Sequence, residues 1–327
     1  MVPQVASLDL FVLVQLGAGL LLLVAGGDSF VRGAVAIARR LGLSPLLIGL
    51  TLVGFGTSTP ELLTSVQAAL AGSPGIAIGN VVGSNTANIL LILGLAALVQ
   101  PLRTQPEAFK RDGSVVLLAA LACLAVIMLG EIGRLAGFAL LTALFAYIGY
   151  TYVQERRVHD ASAAMHAAEA ELEPRPRRLW LALLFTAGGL LATLLGAKLL
   201  VDGAIEFAAA AGVSETIIGL TVVAVGTSLP ELTVSLVAAF RRQADVAFGN
   251  IVGSNIYNVF GILGVTALVT PIAVPPEIIA LDIWVMLGAT VLLLAFAVTG
   301  WRVNRLEGAV LLGAYAVYMA TLFAWSA

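Results

Sequence analysis

Long apolar runs separated by short polar breaks set the pattern of this chain. An apolar helix needs about 20 residues to cross the hydrocarbon core of a bilayer. Ten segments meet that length: 9–31, 44–70, 76–99, 113–130, 134–153, 179–200, 214–240, 246–269, 279–299 and 306–325. The pattern predicts an all-α integral membrane protein with ten transmembrane helices. These segments take up most of the 327 residues, so an enzyme would have to do its chemistry among the helices. The first segment is read as a span and not a signal peptide, because residues 1–10 hold no Lys or Arg and no small-residue cleavage site precedes a soluble body.

The polar positions inside the runs repeat. Residues 33–62 align without gaps on 203–232, a shift of 170 positions. In the same register Gly79-Asn80-Val81-Val82-Gly83-Ser84-Asn85 matches Gly249-Asn250-Ile251-Val252-Gly253-Ser254-Asn255, Asn88 falls on Asn258 and Gly94 on Gly264. Each half holds five spans, an odd number, so the second half must enter the membrane from the opposite side. The expectation is two inverted-topology five-helix repeats, residues 1–153 and 179–327, joined by a connector at 154–178. Such repeats bring equivalent helices together at a pseudo-two-fold axis near the bilayer midplane, where transporters place their substrate and ion sites.

Composition agrees: the chain is 60% hydrophobic and 11% charged, with a mean hydropathy of +1.03. The net charge of −2 says little, but its distribution says more. With the N-terminus outside, 15 of the 17 Lys and Arg residues fall in loops on one side, leaving Arg134 and Lys198 for the other. Cytoplasmic loops carry the excess of basic residues. This places the chain in the cell (inner) membrane with both termini extracytoplasmic. Cys123 is the single cysteine, which excludes a disulfide framework, and both histidines, His159 and His166, lie in the connector. The connector reads as a solvated charged helix. No feature points to nucleic acid, to a resident cofactor or to an obligatory protein partner.

Two short strings carry the chemistry: GTSTPE at 56–61 and GTSLPE at 226–231, each in the middle of an apolar span. A carboxylate at that depth costs about 2.5–3.5 kcal/mol on insertion scales and has to face the protein interior or a water-filled cavity. Two of them, Glu61 and Glu231, at equivalent positions of opposed repeats point to one shared cation site. Pro60 and Pro230 cannot donate to the helical ladder, so the carbonyls of Gly56 and Gly226 lose their partners and the helix is expected to break or kink. Thr57 lies one turn before Glu61, and Thr227 before Glu231, which on a continuous helix puts hydroxyl and carboxylate on one face. Ser84 and Asn88 are again four apart, as are Ser254 and Asn258. Gly79, Gly83, Gly249 and Gly253 form small-xxx-small patterns suited to close helix approach. All these donors are hard oxygens; Ca²⁺ takes 6–8 of them at about 2.3–2.6 Å, whereas softer metals call for Cys or His. A lone Ser or Thr in a membrane helix usually bonds back to its own backbone, so the weight lies on the duplication. Asp28, Arg32, Lys198, Asp202 and Asp282 sit near predicted span ends and read as structural or gating charges.

GTSTPEL with GNVVGSNTANILLILG, and GTSLPEL with GNIVGSNIYNVFGILG, resemble the two alpha-repeats of the sodium/calcium exchanger family, prokaryotic type, within the cation/calcium exchanger superfamily. The resemblance covers about 33–94 and 203–264. It implies that Glu61 and Glu231 bind calcium directly. It implies further that Thr57, Ser58, Ser84, Thr227, Ser228 and Ser254, with the carbonyls of Gly54 and Ala224, line one calcium and up to three sodium sites, and that Asn88 and Asn258 complete the ring. Some family members carry Asp at the position of Asn258; two Asn here argue against potassium dependence. The connector is too short for the calcium-sensing domains of animal exchangers. The implied activity is Ca²⁺/Na⁺ antiport by alternating access, with a Ca²⁺/H⁺ antiporter as the runner-up. A passive cation channel and an intramembrane enzyme are the readings from other classes, the latter lacking the His, Cys or paired Asp that hydrolysis calls for.

Overall fold

The computed structural model describes residues 10–41, 43–104, 106–165, 179–210 and 226–326. Eleven helices can be followed through them. They are α1 (Leu10–Leu41), α2 (Leu46–Thr57), α3 (Thr59–Leu70), α4 (Pro74–Val99), α5 (Pro106–Ile127), α6 (Arg134–Met165), α7 (Leu179–Ala210), α8 (Leu229–Phe240), α9 (Ala244–Val269), α10 (Ile278–Trp301) and α11 (Arg305–Ser326). Six of these are long and apolar enough to cross a membrane, and α2 with α3, bent by 44° at their junction, make a seventh as one broken span. The helices α5 and α11 also coincide with expected segments; α5 carries Lys110, Arg111 and Asp112 in its first turns, which makes it less apolar than the six. The expected segment 214–240 is represented by α8 alone, since 211–225 lie outside the described residues. Three helices outrun their apolar cores: α1 continues ten residues past 31, α7 ten past 200, and α6 runs on into the connector as far as Met165.

The helices α1 and α7 are equivalent under the 170-residue shift, and they pack against each other antiparallel. Gly19 faces Leu200, Gly26 faces Thr193 and Gly33 faces Thr186. These glycines recur every seven residues, as do Gly189 and Gly196 on the partner helix. A Cβ on Gly26 would lie 2.6 Å from the Thr193 nitrogen, and one on Gly189 2.4 Å from the Phe30 nitrogen. Where lipid removes any hydrophobic drive between helices, such close backbone approach is what holds them together.

Two short antiparallel ribbons repeat the exchange between halves. Strand β1 (Leu102–Arg103) pairs with β4 (Arg302–Val303), and β3 (Ile272–Ala273), the equivalent of β1, pairs with β2 (Glu131–Ile132). Backbone bonds outside the strands follow suit: Thr104 N donates to Trp301 O at 2.9 Å and Val274 N to Gly130 O at 2.9 Å. Each half thus closes on the other through matching contacts.

The most deeply buried spans are α4 and α9, which form the centre of the bundle. Gly249 and Gly253 let α9 press on α2, a Cβ on Gly253 coming within 2.2 Å of Leu50 O. Both central helices widen into a π-helical turn, at Asn88–Leu93 and Tyr257–Leu263. Further out sits a matched pair of polar contacts. Asp112 accepts the Tyr147 hydroxyl at 3.1 Å and both Arg111 Nε and Nη2, and Asp282, 170 positions on, accepts the Tyr318 hydroxyl at 2.8 Å. Cys123 is fully buried.

Candidate ion-binding site

Both helix breaks expected from the prolines occur. Ser58 and Ser228 leave helical geometry with ψ of 12° and 7°, and Pro60 and Pro230 sit in the first turn of α3 and α8, where a missing N–H costs nothing. The break puts Glu61 and Glu231 in the first turn of their helices. There the unpaired N–H groups and the positive end of the helix dipole favour an anion.

The two carboxyl groups are each 1% exposed and are held crosswise. Ser58 Oγ donates to Glu231 Oε1 at 2.7 Å, and Ser228 Oγ donates to Glu61 Oε1 at 3.3 Å. The acids from opposite halves therefore meet in one place. The remaining oxygen of each, Oε2, is buried with no hydrogen-bond partner, and so are Asn88 Oδ1 and Asn258 Oδ1. Burying a polar oxygen without a donor costs on the order of 1–3 kcal/mol in proteins. Four such acceptors, two from each half, are hard oxygens that a cation would satisfy.

Other expected site residues lie on α2, on the two central helices and at the second break. Ser254 Oγ donates to Gly54 O at 3.3 Å, joining α9 to α2. Ser84 is buried next to Asn85 on α4 and Thr227 sits at the second break. Ala224 lies outside the described residues. The continuous helix on which Thr57 and Glu61 were expected to share a face is interrupted at Ser58. The Thr57 hydroxyl instead lies 3.2 Å from Asn250 Oδ1 of the other half and within reach of Val53 O and Gly54 O. The Gly54 carbonyl, too, carries bonds from Ser58 N and Ser254 Oγ.

Two residues that sequence reasoning did not single out position the acids. Asn80 Nδ2 donates to Glu61 O at 3.0 Å and Ser65 Oγ at 2.9 Å, while Asn250 Nδ2 donates to Glu231 O at 3.3 Å and Ser235 Oγ at 2.9 Å. Each pins an acid-bearing turn to a central helix. The signal was present in the duplicated GNxxGSN string, where Asn80 and Asn250 stand with the site residues. Among the charges near span ends, Asp28 pairs with Arg32 at 2.8 Å and with Arg241, and Lys198 pairs with Asp202 at 2.7 Å. They stay outside the acid pair.

The sodium/calcium exchanger protein family matches residues 11–154 and 181–324, which between them contain both halves of this arrangement. The chain belongs to that family. Among its relatives is the putative antiporter CaxA of Alkalimonas amylolytica, 38% identical over 96% of this chain and 98% of that one. Another is the sodium/calcium exchanger MaX1 of Methanosarcina acetivorans, 36% identical over 93% and 96%. The solved structure of the sodium-calcium exchanger NCX_Mj superposes with a TM-score of 0.83 at 34% identity, covering 96% of this chain and 99% of that chain. The family is one of exchangers and not of enzymes, and this exchanger-family chain is a multi-pass membrane protein.

Proposed function

We propose that this chain is a secondary active antiporter exchanging Ca²⁺ for Na⁺ by alternating access at the site between Glu61 and Glu231. The observation that carries the reading is the crosswise Ser58–Glu231 and Ser228–Glu61 pairing, which leaves one oxygen of each buried acid unbonded. The ligand set is Glu61, Glu231, Asn88, Asn258, Thr57, Ser58, Ser84, Thr227, Ser228 and Ser254, with the carbonyls of Gly54 and Ala224. In this reading the ten spans form two inverted five-helix repeats, 1–153 and 179–327, with the connector 154–178 and the basic loops in the cytoplasm and both termini outside the cell (inner) membrane.

Charge gives a reason for exchange over leak. Two buried carboxylates make the empty site costly to close, whereas one Ca²⁺ or a set of Na⁺ ions neutralises them, so closure is favourable only when the site is loaded. If three Na⁺ move per Ca²⁺, one net charge crosses per cycle, worth about 2.3 kcal/mol per 100 mV. Sodium entry would then expel calcium.

A buried carboxylate oxygen with no donor also accepts a proton, which keeps Ca²⁺/H⁺ exchange as the second reading. The test is ⁴⁵Ca flux in proteoliposomes with Na⁺, K⁺ and H⁺ gradients imposed one at a time, on wild type, Glu61→Gln and Glu231→Gln. The proposal expects sodium-driven flux in wild type and none in either variant. Equal flux driven by protons without sodium would transfer the reading to the runner-up, and ohmic currents without counter-transport would make the protein a channel.

A further inference from the structure

At one end of the bundle the ribbon β1–β4 sets Arg103 directly opposite Arg302, both exposed. Like charges opposite each other on a ribbon are destabilising, and neither Arg103, Lys110 nor Arg302 forms an ion pair with an acid among the described residues. The equivalent ribbon opposes Glu131 to Ala273. The cationic cluster therefore belongs to one end only, which is the cytoplasmic one in the orientation proposed above.

Beside the ribbon an open groove of about 170 Å³ runs between α5 and α10, lined by Phe109, Lys110, Gly113, Ser114, Leu294 and Val298. Its lining is mostly apolar, and Lys110 stands at the end where Trp301 sits, its Nζ 5.8 Å from the centre of the indole ring. Trp301 holds a left-handed backbone, φ 54°, at the position where the other half has Gly130, φ 79°. Glycine adopts that conformation freely and tryptophan does so at a cost. The backbone bond from Thr104 and the edge contact with Phe109, at 6.5 Å between ring centres, keep the indole between ribbon and groove. An interfacial tryptophan, a snorkelling lysine, two unpaired arginines and an apolar channel match the parts of a lipid: headgroup, interface and chain.

We infer that the groove between α5 and α10 binds an anionic phospholipid, its phosphodiester held by Arg103, Lys110 and Arg302 and one acyl chain lying along Phe109, Leu294 and Val298. Basic pockets between membrane helices on the cytoplasmic side are suited to such headgroups. Charge complementarity excludes a zwitterionic lipid as the preferred occupant. This inference depends on membrane insertion but not on which ions are exchanged.

The test is quenching of Trp301 fluorescence, taken as the difference between wild type and Trp301→Phe, in nanodiscs containing rising fractions of phosphatidylglycerol or phosphatidylcholine with brominated chains. Quenching by phosphatidylglycerol is expected to saturate at low mole fraction, while phosphatidylcholine quenches in proportion to its abundance. Replacing Arg302 by Gln should raise the half-saturating phosphatidylglycerol fraction about fivefold, and replacing Arg103 as well should raise it further, at roughly 1 kcal/mol per basic residue. Arg134→Gln, on the opposite end, should leave the curve in place. Coincident curves for the two lipids, an unmoved midpoint in Arg302→Gln, an equal shift in Arg134→Gln, or release of quenching by inorganic phosphate would each overturn the inference.

Discussion

Ser58 donates to Glu231 at 2.7 Å, while its counterpart Ser228 donates to Glu61 at 3.3 Å, so each half holds the carboxylate of the other and the first half holds more tightly. A hydrogen bond to a charged group contributes roughly 1.5–3 kcal/mol. Ser58→Ala is therefore expected to weaken Ca²⁺ binding about tenfold or more by the same measure, and Ser228→Ala to weaken it less. Calorimetric titration of the purified protein with CaCl₂ checks both; equal losses would remove the asymmetry.

The acid pair should also govern stability. No Lys or Arg touches Glu61 or Glu231 in the hydrogen bonds and ion pairs of the described residues, so without a cation their repulsion is offset by hydroxyl donors and helix ends. In chelator, Glu231→Gln is expected to unfold at a higher temperature than wild type. Added Ca²⁺ should reverse the order, since a ligand at 100 times its Kd stabilises by about 2.7 kcal/mol. Thermal melts in detergent followed by tryptophan fluorescence give the comparison, and a wild type insensitive to Ca²⁺ would contradict it.

Neighbouring glycines on α7 make a controlled pair. A Cβ on Gly189 would stand 2.4 Å from the Phe30 backbone nitrogen, whereas one on Gly188 meets nothing within 4 Å. Gly189→Ala must push α1 and α7 apart and is expected to destabilise by about 1–3 kcal/mol, the usual cost of overpacking. Gly188→Ala should be neutral or stabilising by up to about 1 kcal/mol, the helix preference of Ala over Gly. Melting temperatures of the two variants decide; if they fall together, the tight α1–α7 interface is not what the glycines serve.

Much of this architecture could be read from the residues because membrane insertion makes buried acids and prolines costly, and their duplication at a fixed shift fixes the symmetry. Glu61, Glu231, Pro60 and Pro230 announced both the break and the meeting of the two acids. The pairing of Thr57 with Glu61 assumed a continuous helix across the very proline that interrupts it. Crosswise bonds such as Ser58 to Glu231 depend on how two distant helix ends face each other, which periodicity does not encode. The π-turns at Asn88–Leu93 and Tyr257–Leu263 have no signature of their own in an apolar string. The seven-residue glycine spacing of α1 was legible, but its mate on α7 runs antiparallel, so the 170-residue alignment does not bring the contacting residues into register.

The amides of the site break the two-fold relation. Asn258 Nδ2 donates to Asn85 Oδ1 at 3.0 Å, and Asn85 in turn donates to Asn255 O at 3.2 Å, which leaves Asn258 Oδ1 turned away from any donor. In the other half neither amide atom of Asn88 is bonded, and Asn255, the equivalent of Asn85, turns back to Ile251 O at 2.7 Å. Asn85 thus orients one oxygen of the proposed ligand set and Asn255 orients none. A neutral hydrogen bond contributes about 0.5–1.5 kcal/mol, so Asn85→Ala is expected to weaken Ca²⁺ binding roughly two- to twelvefold, and Asn255→Ala less. If Asn85 acts through Asn258, the same change made in an Asn258→Ala background should cost nothing more, because contacting residues that serve one function are not additive. Calorimetric titration of the two single variants and the double variant closes the cycle. Additive losses would mean that Asn85 only packs α4 against α9, and that the oxygen of Asn258 finds its direction without it.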